Sequence, residues 1–145
     1  MDLSLNGNTF CSECERHQKI IVSKEKRSKH IADNPEGDEV SHYKVDGNII
    51  TGNTAKCDFL LMDHTKHSAY LIELKGSDLL HAMEQLDQTD LALQFILQGY
   101  TKNFRVVLTR TNTHAITPQK ARKLEKELSK RGSFHRESQQ MRETI

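Results

Sequence analysis

Apolar and polar positions are most sharply patterned between Lys56 and Gly76, KCDFLLMDHTKHSAYLIELKG. The pattern predicts a strand from Thr54 to Met62 around the run Phe59-Leu60-Leu61-Met62. A polar turn follows from Asp63 to His67, then a second strand from Ser68 to Lys75. In that second strand Tyr70, Ile72 and Leu74 share one face, and Leu71, Glu73 and Lys75 share the other. Asp58 sits near the start of the first strand, and Glu73 and Lys75 at the end of the second. Packing explains such charges poorly, because burying a charge is costly unless it is paired or metal-bound.

Upstream, Val40 to Val45 reads as a strand, Asp46-Gly47 as a hairpin turn and Asn48 to Thr51 as its return. Downstream, Gly76 ends the second strand, Ser77 suits an N-cap, and Asp78 favours the first turn of a helix running to about Leu97. Leu79, Met83, Leu86, Leu93 and Leu97 form its buried stripe, interrupted by Asp90. A polar stripe of His81, Glu84 or Gln85, and Gln88 starts beside Glu73 and Lys75, so that His81 and Gln85 face back toward them. Gly99 suits a C-terminal cap, and Phe104 to Thr109 reads as a buried strand. Thr117-Pro118 opens a second helix, which runs to about Lys130 on a seam of Ala121, Leu124 and Leu128, and Gly132 stops it.

Strand–helix–strand after residue 68 implies a right-handed crossover and a mixed sheet. The fold expected is α/β: a three-stranded meander, a crossover helix and a fourth strand, flanked by helices. Residues 1–38 form a weakly patterned N-terminal segment, 39–131 the core, and 132–145 a polar, flexible tail. Within the first segment Ile20-Ile21-Val22 is open between strand and helix, and Asn34-Pro35-Glu36-Gly37 signals a turn.

At 145 residues the chain suits one domain. A net charge of +1 gives no global field that would advertise a nucleic-acid partner. The cations are nevertheless clustered: Lys24, Lys26, Arg27 and Lys29, then Lys120, Arg122, Lys123, Lys126, Lys130 and Arg131. Each cluster taken alone reads first as a solvated face. No apolar run has membrane length and no signal-peptide pattern is present, so a soluble, cytoplasmic protein is expected. Three cysteines are too few for a disulfide framework. Cys11-x-x-Cys14-x-x-His17 resembles part of a zinc site, but structural zinc wants four ligands and the remaining Cys57 lies in a predicted strand. Ordinary reduced thiols are the simpler reading.

Asp58 and Glu73 offer hard oxygen ligands suited to Mg²⁺ or Mn²⁺. A metal-activated water is a nucleophile, and Lys75 beside it can orient that water or stabilise charge on a phosphate. Such a set suits hydrolysis of a phosphodiester.

Asp58, fourteen intervening residues, then Glu73-Leu74-Lys75 at a strand end followed by a helix, resembles the PD-(D/E)XK nuclease superfamily, which includes restriction endonucleases, Holliday-junction resolvases and RecB-type nuclease domains. The resemblance covers about residues 40 to 110, and implies a core of helix, three-stranded meander, helix and strand. It implies that Asp58 and Glu73 bind the metal, that the Leu74 carbonyl adds a ligand, and that Lys75 is the catalytic lysine. RecB-type members also carry a glutamine on the following helix, and Gln85 is the match here. The chain departs from the pattern in having Cys57 where proline often precedes the aspartate. The acid that a first helix often brings to the metal is open among Glu25, Glu36 and Glu39, with Glu25 on the more plausible helix.

The leading expectation is a small Mg²⁺- or Mn²⁺-dependent nuclease acting on DNA more than RNA, its basic clusters holding the phosphate backbone. With few aromatics, base stacking is minor. A domain of this size reads a structure, forms a homodimer or depends on a larger partner; phage, mobile-element or defence settings fit by analogy. The alternatives are a non-catalytic adaptor of the same fold, which binds nucleic acid or protein, and a zinc-stabilised module built on Cys11, Cys14 and His17.

Overall fold

The computed structural model describes residues 4–5, 8–9, 18–45, 56–74, 78–109 and 119–145. The chain is α/β, with mixed sheets and two helices. Two short strands, β1 (Ser4–Leu5) and β2 (Asn8–Thr9), pair antiparallel. An antiparallel hairpin follows, β3 (Ile20–Glu25) and β4 (Ser28–Asp33), turning at Lys26, whose φ of 51° lies in the left-handed region.

The meander is β5 (Val40–Lys44), β6 (Phe59–Asp63) and β7 (Ser68–Glu73), all antiparallel. Asp63 builds the turn between β6 and β7: its Oδ1 accepts hydrogen bonds from the Thr65 and Lys66 amides, each at 3.0 Å. Helix α1 (Leu79–Ala92) then crosses to β8 (Thr101–Leu108), which pairs parallel to β7. Helix α2 (Gln119–Arg131) crosses to β9 (Ser133–Ser138), parallel to β8. Gly132 allows the tight exit from α2, since a Cβ there would overlap the Lys102 carbonyl oxygen. Finally β10 (Gln140–Thr144) leaves this sheet and joins the hairpin, parallel to β4.

The result is a five-stranded sheet in the order β5-β6-β7-β8-β9 and a three-stranded sheet in the order β10-β4-β3. Alternation along β6 and β7 sends Leu60, Met62 and Leu71 toward α1 and α2, where they pack with Met83, Leu86, Phe104 and Leu128. Each such side chain contributes about 1.5–3 kcal/mol of burial. The opposite positions, Leu61, Ile72 and Val107, meet Ile21, Ala32 and Met141 of the small sheet. Polar groups are set into that second interface. Glu143 accepts from Arg105 Nε and Nη2 at 2.7 and 3.0 Å and lies 2.7 Å from His30 Nε2. His42 Nε2 lies 2.8 Å from Ser23 Oγ, and its ring stacks on Phe59.

The meander, crossover and mixed sheet agree with expectation, but the ends of the chain do not. Ile20 to Val22 is strand, and Glu25 closes that strand instead of riding a helix. Among the described residues no helix precedes the meander. The tail expected to be flexible forms β9 and β10, with Met141 and Ile145 buried. α1 ends at Ala92 and is capped by Asp78, whose Oδ1 accepts from the His81 amide at 3.2 Å. The return strand expected at Asn48 to Thr51, the Ser77 cap and the Cys11-Cys14-His17 cluster lie outside the described residues.

Candidate functional site

The β6–β7 register pairs Phe59 with Ile72, so Asp58 and Glu73 are the next residues of the ladder, at the C-terminal end of β7. Here pairing slips. The Asp58 amide donates to the Ile72 carbonyl at 3.1 Å, although Phe59 is the register partner of Ile72. Two residues of one strand thus meet one residue of the other, a bulge-like arrangement that re-aims side chains. Asp58 Oδ2 accepts from the Leu74 amide at 2.9 Å, which ties its carboxylate to the strand end that carries Glu73. Both acids are withdrawn from solvent, Asp58 at 5% exposure and Glu73 at 0%.

Cys57 precedes Asp58 at the same strand end. Its thiol is fully buried, and burial, followed by the charges of Glu73 and Asp58, pushes it far above the ordinary thiol range. Cys57 is thus a buried thiol beside two carboxylates, a neighbour that the strand pattern alone did not single out. Its amide donates to Thr89 Oγ1 of α1 at 2.7 Å, and that hydroxyl donates to the Gln85 carbonyl at 2.8 Å. These bonds pin α1 over the strand ends. Gln85, half-buried, shares the Thr89 face one turn nearer the start of the helix. His81 is exposed, and its amide serves the Asp78 cap. Lys75 lies outside the described residues.

The acids considered as extra ligands are not brought to this place. Glu36 and Glu39 lie at the other end of the meander: Glu36 is 4.0 Å from Lys66, and the Glu39 amide donates to Thr65 Oγ1. A strand of five residues separates the two ends by roughly 16 Å. Glu25 sits beside the β3–β4 turn, at the same end of the sheet but on the face opposite the helices. Among the described residues, no group of three or more His, Cys, Asp and Glu side chains is arranged to hold a metal ion. A divalent ion at Asp58 and Glu73 would therefore rest on two carboxylates and water, a donor set that suits Mg²⁺ better than Zn²⁺.

The surroundings of this sheet end are cationic on both faces. The Gln139 amide donates to the Leu108 carbonyl, and the Lys29 amide to the Gln139 carbonyl, so the β3–β4 turn lies at the C-terminal end of β8. Because β7 and β8 are parallel, this is also the Glu73 end. Lys24, Lys26, Arg27 and Lys29 are therefore gathered on one side of it. On the other side α2 begins, since it connects the C-terminal end of β8 to the start of β9, and it carries Lys120, Arg122 and Lys123 in its first turns. Open α/β sheets place their ligands at this end of parallel strands.

Comparison of the chain with protein-family models, curated proteins and solved structures gave no match. Among the described residues, no helix is long and apolar enough to cross a membrane.

Proposed function

We propose that this chain is a small divalent-metal-dependent nuclease with a restriction-endonuclease-like core. The observation that carries the reading is the juxtaposition of Asp58 and Glu73 on adjoining strand ends, beneath α1 and between two cationic edges. Two withdrawn carboxylates favour a cation, and the flanking lysines and arginines favour a polyanion. Asp58 and Glu73 would hold Mg²⁺ or Mn²⁺, joined by the Leu74 carbonyl. Bound there, the ion would lower the pKa of a coordinated water and offset charge on the phosphate. Lys75 would orient the attacking water, and Gln85 would line the approach from α1. Water adds to phosphorus, the P–O bond to the leaving oxygen breaks, and that oxygen leaves with a proton. DNA is the favoured substrate, with phosphate contacts from Lys24, Lys26, Arg27 and Lys29 on one edge and from Arg122 at the start of α2 on the other.

The depth at which Glu73 is buried supports a second reading, an adaptor of the same fold that binds nucleic acid or a protein without cutting. Thermal melting during Mg²⁺ and Mn²⁺ titration, alongside assays on supercoiled, linear and single-stranded DNA, separates the two. The nuclease reading expects stabilisation of about 2.7 kcal/mol at a hundredfold excess over Kd, together with cleavage. No stabilisation and no cleavage would leave the adaptor.

A further inference from the structure

Helices α1 and α2 lie side by side on one face of the large sheet and leave a groove of about 470 Å³ between them. One wall is α1, with Leu80, Glu84, Asp87 and Gln88; the other is α2, with Lys120, Lys123, Leu124 and Glu127. Asp87 is held by Arg131, which also reaches Asp90. Among the described residues, Glu84, Lys120, Lys123 and Glu127 make no ion pair. The groove thus has Glu84 without an ion pair on its α1 wall and Lys120, Lys123 and Glu127 without one on its α2 wall, while Arg131 of α2 neutralises Asp87 and Asp90 of α1.

The α1 wall continues beyond the groove as an apolar ridge. Leu91 and Phe95 follow Glu84 and Gln88 at helical spacing, and the chain keeps turning past α1, with the Ile96 and Leu97 amides donating to the Leu93 carbonyl. Leu91 is 52% exposed and Phe95 83%. Isolated surface leucines need no explanation, but a phenylalanine this open, beside an unsatisfied charged groove, marks a contact surface.

We propose that this face binds a second copy of the chain. An isologous contact requires one patch that complements itself under a two-fold axis. Glu84 on one ridge beside Lys120 and Lys123 on the other meets that requirement: the α1 ridge of each copy lies against the α2 ridge of the other, so Glu84 meets Lys120 and Lys123 twice. A nucleic-acid strand fits less well, because Glu84, Asp87 and Glu127 would repel its phosphates. The proposal stands apart from the nuclease reading, since its readout is mass and not cleavage.

The test is charge reversal with mixing, followed by sedimentation equilibrium and by light scattering on a sizing column. The wild-type chain is expected to dimerise, and to dissociate as salt screens the ridges. The pair K120E/K123E makes both ridges acidic, and the pair E84K/E127K makes α1 basic and removes the acid from α2. Each variant alone is expected to associate at least about tenfold more weakly, and an equimolar mixture is expected to recover a heterodimer. F95A is expected to weaken wild-type association with no change in melting temperature, since the ring is exposed. A chain that stays monomeric across the accessible concentration range would overturn the proposal. So would a dimer indifferent to both charge reversals, which would place the contact elsewhere. Monomers whose oligonucleotide binding is lost with K120E/K123E would assign the groove to nucleic acid instead.

Discussion

At the turn end of the β6–β7 ladder, Asp38 and Asp63 share a hydrogen bond; at the other end, Asp58 and Glu73 stand together beneath α1. Both are pairs of withdrawn acids on neighbouring segments. The turn-end pair has a structural task. Asp63 accepts from two turn amides, and Asp38 lies 3.2 Å from Lys66, whose Nζ also donates to the Ile145 carbonyl at 2.7 Å. The protonation of the pair is divided accordingly: the hydrogen bond from Asp63 and the Lys66 ammonium hold Asp38 low, while burial raises Asp63. The Asp58–Glu73 pair closes no such turn, and lies where parallel strands finish and two basic edges converge. Burial of acids is therefore a weak marker of function; position in the sheet and the charge around it discriminate.

The comparison breaks if exchanging the pairs makes no difference to activity. If the nuclease reading holds, Glu73→Gln and Lys75→Ala are each expected to lower cleavage by about a hundredfold or more, because each removes a group that would act at the reacting phosphate. Circular dichroism and melting temperature should stay near wild type. Asp63→Asn should cut as fast as wild type. Cleavage by Glu73→Gln at the wild-type rate would remove Glu73 from the site.

Asp58 and Glu73 were visible in the sequence, because charges at the ends of apolar runs stand out, and alternation fixed which residues Glu73 sides with; the Asp38–Asp63 pair was not, since Asp38 adjoins no apolar run and Asp63 reads only as the start of a turn. The bulge at Asp58 and the Cys57–Thr89 bond were not legible, since both depend on pairing between segments far apart in sequence. Strands β9 and β10 were missed for a different reason. β9 is a polar edge strand exposed on almost every residue, and β10 buries only Met141, so neither shows the apolar alternation that reveals a strand. Arg105 and Glu143 were hidden in the same way. Only the parallel pairing of β4 with β10 brings Glu143, from the expected tail, to His30 and Arg105.

Acid titration sharpens the comparison by showing what each pair does not contribute. Burial, aided by the nearby His30 charge, lowers His42 from 6.5 to about 4. The unfolded chain therefore takes up a proton before the folded one does. Stability is complete above pH 6.5 and is lost as pH falls toward 4, by about 3 kcal/mol in all. Glu143 acts lower: burial opposes its ionisation, but His30 and Arg105 hold it at about 2, so its stabilisation is complete above about pH 4.5 and is lost progressively as pH falls toward 2. Urea midpoints at pH 7, 5 and 4 should show the first loss, and His42→Gln should flatten it. An unchanged slope in that variant would move the acid sensitivity to the carboxylates.

At the turn end, Asp63→Ala is expected to destabilise by about 1–2 kcal/mol, since two turn amides lose their acceptor. Asp63→Asn keeps that acceptor and removes a charge from beside Asp38, so its denaturation midpoint should stay at or above wild type. A large loss in Asp63→Asn would mean that the pair needs its charge, and the contrast with Asp58 and Glu73 would narrow.

The smallest effect separates the two ends by their cations. If the Glu73 end meets phosphate, Lys26→Ala should lower the slope of log affinity against log salt by roughly 0.9, the release of about one counterion. Lys19 lies at the opposite end of the hairpin, where its Nζ donates to the Pro35 carbonyl and its own carbonyl accepts from the Asn34 amide. Lys19→Ala should leave the slope unchanged. Measured on one duplex across a salt series, equal losses for both lysines would mean that phosphate is held by diffuse charge, and the sheet end carrying Asp58 and Glu73 would lose its claim to the substrate.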